Sequence, residues 1–366
     1  MKASIEAALI RAWQKDGAFS LFMRPFAGLY AWAIERRRQR FLRHPDRVFR
    51  AGIPVIVVGN LYVGGTGKTP TVIALVRALS RHGCKPGVVS RGYGVKPGVA
   101  PRVVHGGVPD ATLLGDEPAL IAAETGVPVS VHPRRKAAVL ALREQHPEVD
   151  VIISDDGLQH AELGRDLEIV VQDARGIGNG HLLPAGPLRE PTERLRKVDF
   201  IVDNLLPGEN PAQVPPGCAQ RITMTLHPVK VMHLASGQTQ PWRAWLFAHA
   251  GKHCAAVAAI GRPERFFGML MHHGLTLTRT LALPDHHDYA RSPFESIPAD
   301  CILVTPKDAV KCRRLQDARI YSVQAEPEFS DPDWVAKLIQ RLRALPNNKA
   351  PVTPPKVYTQ RFDPNA

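Results

Sequence analysis

In this 366-residue sequence the segment that most clearly implies chemistry is Gly64-Gly65-Thr66-Gly67-Lys68-Thr69-Pro70. A bound triphosphate needs backbone N–H donors curled around its oxygens, a helix N-terminus behind them, and a cation that reaches its β and γ groups. Gly64, Gly65 and Gly67 permit the curl around Thr66, and Lys68 supplies the cation. The Thr69 hydroxyl can ligate Mg²⁺, and Pro70 pre-organises the first helical turn. Tyr62 stands where the common phosphate-loop pattern carries its first glycine, so the match is imperfect. A second acidic element is required to hold the metal. Val151-Ile152-Ile153-Ser154 running into Asp155-Asp156 has the form of a buried strand that delivers carboxylates. Alone, the two aspartates would read as a turn before Gly157. Beside a phosphate loop they read, with Thr69, as ligands for the Mg²⁺ of Mg·ATP.

The elements that must position these groups follow from hydrophobic periodicity. Residues 54–58, 87–90, 128–131, 150–154, 167–172 and 198–202 form short apolar runs separated by helical patterns, of which 68–81 is the clearest. Such alternation predicts a P-loop α/β core with a largely parallel sheet covered on both faces. Pro207, Pro211, Pro215 and Pro216 mark a break. Beyond it, 221–226 and 229–234 alternate around His227-Pro228 and suggest a hairpin, after which a strand-helix-strand pattern restarts at 254. The expected organisation is a basic helical segment (1–50), a P-loop core (51–206), a linker with a β-hairpin (207–252), a smaller C-terminal α/β domain (253–345) and a proline-rich tail (346–366).

Composition excludes other classes. Hydrophobic residues make up 44% and charged residues 22%, the balance of a folded globular chain rather than a disordered one. Five scattered cysteines with no CxxC pair suggest neither a disulfide framework nor a zinc site. The formal charge of +13 favours polyanionic partners without choosing among them. Residues 17–34 are almost wholly apolar but are interrupted by Arg24-Pro25, which disfavours a spanning helix. Pro25 is instead expected in the first turn of an amphipathic helix carrying Phe26, Leu29, Tyr30, Ala33, Ile34 and Phe41. Seven arginines follow between Arg36 and Arg50, the arrangement of a segment lying against anionic headgroups.

Several blocks resemble one family, the tetraacyldisaccharide 4′-kinases, which phosphorylate a membrane-embedded acylated glucosamine disaccharide in lipid A synthesis. These are residues 59–70, Ser90-Arg91-Gly92-Tyr93-Gly94, Gly115-Asp116-Glu117-Pro118, and Asp155-Asp156-Gly157-Leu158-Gln159-His160. Leu182-Leu183-Pro184-Ala185-Gly186-Pro187-Leu188-Arg189-Glu190, Pro284-Asp285-His286-His287-Asp288-Tyr289 and Thr305-Pro306-Lys307-Asp308-Ala309 extend the likeness. The resemblance implies two domains joined by a hinge, ATP and Mg²⁺ as cofactors, and transfer of the γ-phosphate to the 4′-hydroxyl of tetraacyldisaccharide 1-phosphate, giving lipid IVA. It further implies a monomer held peripherally on the cytoplasmic face of the inner membrane, with no nucleic-acid partner.

Within that likeness the catalytic base falls on Asp116, assisted by His286 with His287 as a neighbouring candidate, and Lys68 serves the phosphates. Unaided, Asp116 would read as a helix cap and His286 as a loop histidine. Tyr93, Arg134, Arg135, His160, Arg189 and Glu190 are candidates for the surroundings of substrate or metal, since a guanidinium fork matches phosphate oxygens. The competing reading is a membrane-associated regulatory ATPase of the partitioning or cell-division type. Such proteins carry a lysine just before the double glycine, and here that position is Val63.

Overall fold

The computed structural model describes residues 9, 12, 13, 15–92, 100–106 and 110–344. Its first long element is α1 (Ala18–Arg43), followed by β1 (Val55–Gly59), α2 (Lys68–Arg81), β2 (Pro86–Ser90) and β3 (Arg102–Val104). Next come α3 (Ala111–Leu114), α4 (Asp116–Thr125), β4 (Val129–Val131), α5 (Arg135–Gln145), β5 (Val151–Asp155), β6 (Leu167–Asp173) and β7 (Phe200–Asn204). The chain continues through β8 (Gln220–His233), β9 (Thr239–Pro241), α6 (Trp242–Ala248), β10 (Cys254–Ala258), α7 (Pro263–His272) and β11 (Leu277–Ala282). It closes with β12 (Cys301–Val304), α8 (Pro306–Cys312), β13 (Ile320–Phe329) and α9 (Trp334–Ala344).

The strands form one sheet in the order β11-β10-β12-β13-β8-β7-β6-β1-β5-β2-β4-β3, with β9 attached to β8. Pairing is parallel except where β8 meets β13 and β9 and where β3 meets β4. The central strands are buried along their whole length, as continuous apolar runs must be when helices cover both faces. Two apolar clusters sandwich the β1–β7 end, and two more sandwich the β10–β13 end. In α2, Val72, Leu75, Val76 and Leu79 repeat at helical spacing on the face pressed to the sheet.

Three expectations change. First, residues 221–234 make no hairpin at His227-Pro228. They form the single 14-residue strand β8, parallel to β7 at one end and antiparallel to β13 at the other. His227-Pro228 supplies neither residue of a tight hairpin turn, and Pro228 is accommodated opposite Ala325, where the β13 register shifts. The turn falls later, at Gly237 (φ 70°), and joins β8 to β9. Second, α1 begins seven residues before Pro25, which therefore lies inside the helix. The hydrogen bond that proline deletes would have reached the Leu21 carbonyl. Leu21 is 62% exposed, so water can replace that bond. Third, α9 packs into the core of the β1–β7 end beside Val72 and Phe200, although it follows the β10–β13 segment in sequence.

Candidate active site

The Gly64–Thr69 loop joins β1 to α2 at the C-terminal edge of the sheet. Gly64 (φ 90°) and Gly67 (φ 97°) hold left-handed backbone, which a Cβ would strain. A Cβ at Gly67 would also run into the Asn204 amide. Side chains from outside the loop fix its carbonyls. Asn60 Nδ2 donates to Tyr62 O (2.6 Å) and Gly64 O (3.0 Å), Arg175 Nη2 to Gly65 O (3.0 Å), and Asn204 Nδ2 to Thr66 O (3.0 Å). Tyr62, in place of the usual glycine, is buried and lies beneath the Arg175 guanidinium at 4.1 Å.

β5 delivers Asp155 and Asp156 beside this loop, because β1 and β5 pair in register with Val58 opposite Asp155. Burial, reinforced by the neighbouring Asp156 charge, pushes the Asp155 carboxyl up to about 6, and Ser90 Oγ donates to it at 3.0 Å. Burial also acts on Asp156, but Lys68 at 3.4 Å and Arg189 at 3.1 Å overcome it and hold this carboxyl down at about 2. Arg189 is brought there by backbone stitching. Val63 N donates to Pro187 O and Arg189 N to Leu61 O, so the Leu182–Glu190 segment runs alongside the strand end that feeds the phosphate loop.

Asp116 opens α4, where the helix dipole favours a carboxylate. Its Oδ2 accepts from His286 Nδ1 (2.8 Å) and Lys311 Nζ (2.7 Å). Burial would raise its pKa, yet these two hydrogen bonds bring it down to about 2. The Asp116 contact in turn raises His286, a non-glycine residue at φ 62°. His287 turns the other way and accepts from Tyr289 N at 3.0 Å. Lys307 bridges Glu117 and Asp285 at 3.0 and 3.1 Å.

These groups converge on a cavity of about 1000 Å³, ample for a nucleotide. Gly64 through Pro70, Asp155, Asp156, His160, Arg189 and His286 line it. Asp116 does not, although its neighbours Glu117 and His286 do. Burial, then the charges of Arg135, Arg37 and Arg91, push His160 down to about 4, so it is neutral at physiological pH. Arg135 is 1% exposed and donates to the Asp155 carbonyl (2.9 Å), bracing the Asp155-Asp156 turn from behind. Burial pushes its pKa down to about 10. Arg134 is exposed at the start of α5, outside the cavity lining. Glu190 is held by Gln159 and Arg194 behind Arg189. Tyr93 lies outside the described residues. Sequence reasoning missed Lys311, Asn204, Arg175 and Arg37. Only the Thr305-Pro306-Lys307 block pointed at α8, four residues before Lys311.

Residues 19–343 match the family model described as tetraacyldisaccharide-1-P 4′-kinase. A tetraacyldisaccharide 4′-kinase from Bordetella petrii is 52% identical over 341 residues, covering 92% of this chain and 96% of the relative. One from Azotobacter vinelandii is 42% identical over 342 residues, covering 92% and 98%. Among solved structures, that of LpxK from Aquifex aeolicus in complex with ATP superposes with a TM-score of 0.73 at 27% identity, covering 88% of this chain and 99% of that one. With a phosphate loop facing two strand-end carboxylates and this likeness along nearly the whole chain, the protein belongs to the tetraacyldisaccharide 1-phosphate 4′-kinase family and is an ATP-dependent kinase of lipid A biosynthesis.

Proposed function

We propose that the chain transfers the γ-phosphoryl group of ATP to the 4′-hydroxyl of a tetraacyldisaccharide 1-phosphate, with Asp116 as the base. The observation that carries this reading is the Asp116–His286–Lys311 cluster at the rim of the cavity that holds the phosphate loop. A sugar hydroxyl is a poor nucleophile, and a positioned carboxylate can take its proton as the phosphoryl group arrives. Asp116 is ionised at neutral pH. His286 and Lys311 both hold Oδ2, leaving Oδ1 as the oxygen assigned to the hydroxyl. Lys68 and the loop N–H groups bind the β and γ oxygens. Mg²⁺, bound together with ATP, supplies neutralisation of the phosphate charge. Thr69, Asp155 and Asp156 would hold it, a hard-oxygen set suited to a cation that keeps water and phosphate ligands rather than an all-protein cage. The buried Asp155 carboxyl, raised toward 6, is a site that a cation would relieve.

Arg37, Arg91, His160 and Arg189 line the side of the cavity nearest α1 and suit the acceptor's existing phosphate. On α1, Leu21, Phe22, Phe26, Leu29 and Trp32 are 52–70% exposed beside a run of arginines. No helix among the described residues is long and apolar enough to cross a membrane. This supports a helix resting in the cytoplasmic leaflet of the inner membrane, where the acylated acceptor resides. The test is transfer of label from γ-labelled ATP to tetraacyldisaccharide 1-phosphate in detergent. Transfer is expected, and its absence from folded protein that binds ATP would overturn the acceptor assignment.

A further inference from the structure

We propose that Asn204 is a positioning residue for the nucleotide: it clamps the Thr66–Gly67 peptide of the phosphate loop, and Arg265 sets the orientation of the clamp. The C=O of Thr66 and the N–H of Gly67 belong to one trans peptide and point in opposite directions. Asn204 Nδ2 takes the carbonyl at 3.0 Å from one side, so the N–H faces the other, into the cavity lined by Gly67 and Lys68. Flipped by half a turn, the same peptide would present its oxygen to a phosphate and repel it. Gly67 makes such a flip inexpensive, because glycine accepts backbone on either side of φ = 0. A loop that relies on glycine for its curl therefore requires an external fix.

Asn204 meets the requirements of that fix. It ends β7, is 3% exposed, and lies so close that any side chain at position 67 would displace it. An amide, however, can turn either its donor or its acceptor toward the loop. Arg265 on α7 removes the choice. Its Nη2 donates to Asn204 O at 2.9 Å and to Asn204 Oδ1 at 3.3 Å, while Nη1 is anchored to Glu209 at 2.9 Å. A guanidinium has donors only, so it binds the amide oxygen and leaves Nδ2 for Thr66. The segment leading into α7 brings Gly261 against Gly65, where a Cβ on Gly261 would lie 3.0 Å from Gly65 N. The relay thus runs from α7 through Asn204 to the peptide that meets the β-phosphate.

This inference rests on the loop binding a nucleotide, and its test needs no lipid acceptor. Calorimetric titration of ADP and AMP compares ligands with and without a β-phosphate. Asn204→Asp sets an acceptor against the Thr66 carbonyl and is expected to weaken ADP roughly tenfold or more while AMP stays within about twofold, since the unmet carbonyl no longer holds the Gly67 N–H toward the β-phosphate. Asn204→Ala should lose several-fold on ADP alone. Arg265→Lys should weaken ADP in the wild-type background and have no further effect on Asn204→Ala. Should Asn204→Asp fail to fold, the other two variants carry the same readout. ADP affinity within twofold of wild type in all folded variants, equal losses for ADP and AMP, or additive effects of the two substitutions would each overturn the relay. A failed acceptor assay with intact ADP discrimination would remove the substrate assignment and leave this result standing.

Discussion

Asp116 illustrates how a residue that is ordinary in sequence becomes chemically committed through distant partners. Its Oδ2 contacts come from His286 and Lys311, 170 and 195 positions away, so no local pattern announces them. Gly67, by contrast, was legible, because its left-handed backbone is a local demand that glycine alone meets easily. Asp116→Ala is expected to lower turnover by about 10²–10⁴-fold while sparing ATP affinity, measured by steady-state kinetics and nucleotide titration. Near-normal turnover would remove it as the base. The pair also has a pH signature. His286 is raised by Asp116, so its share of stability is complete below the unfolded value near 6.5 and fades as pH rises through the folded one. Asp116 is depressed to about 2, so its share is present above about 3.9 and is lost as pH falls toward 2. The melting-temperature deficit of His286→Gln should accordingly be largest between about pH 4 and 6.5 and shrink above that window. A deficit that grows with pH would contradict the pairing.

At the level of elements, runs with one dominant period were readable, and those with competing signals were not. Helix α2 starts and ends where its pattern predicts, at Lys68 and Arg81, because the loop glycines fix one end and Gly83 follows the other. Helix α1 was misplaced at its start because Pro25 usually marks a first turn, whereas here it sits inside the helix and the residue whose carbonyl it frees, Leu21, is exposed. The docking of α1 and of the residues ahead of it is specific. Trp13, before the helix, donates through Nε1 to Pro184 O at 2.9 Å, and on the helix Ser20 donates to Ala185 O and Tyr30 OH to Arg189 O at 3.3 Å. Its apolar stripe faces away from these contacts. Replacing Phe22 and Trp32 with glutamate should cut sedimentation with anionic liposomes by about tenfold or more, given ~1 kcal/mol per surface charge and the lost apolar burial. The melting temperature should barely move, since both side chains are exposed. Unchanged liposome binding would place the membrane contact elsewhere.

Across the molecule, the sheet is continuous, and the long-range pieces that close it are those the sequence concealed. Helix α9 returns to the β1–β7 end, where Trp334 meets Phe200 at 5.7 Å and Phe329 at 5.1 Å between ring centroids. Nothing in a single amphipathic helix says which end of a sheet it will cover. Trp334→Ala is expected to cost ~3–5 kcal/mol in urea unfolding, and a loss under ~1 kcal/mol would mean that α9 is only loosely docked. Strand β8 has a different consequence. It spans roughly 46 Å at ~3.3 Å per residue, and its pairing runs from β7 to β13 without a turn. At the register shift beside Pro228 it carries one residue more than β13, which lets both Leu226 and Val231 face the cluster around Trp245. Away from that shift its side chains alternate between faces, so deleting Thr223 would put Ile222 and Met224 on opposite faces and carry one of them out of the cluster around Trp334. Substitutions along β8 can be absorbed one at a time. A change in its length can be absorbed only where the register already shifts, and natural length variation in this region should fall there, in the 234–238 turn or in the 205–219 connection.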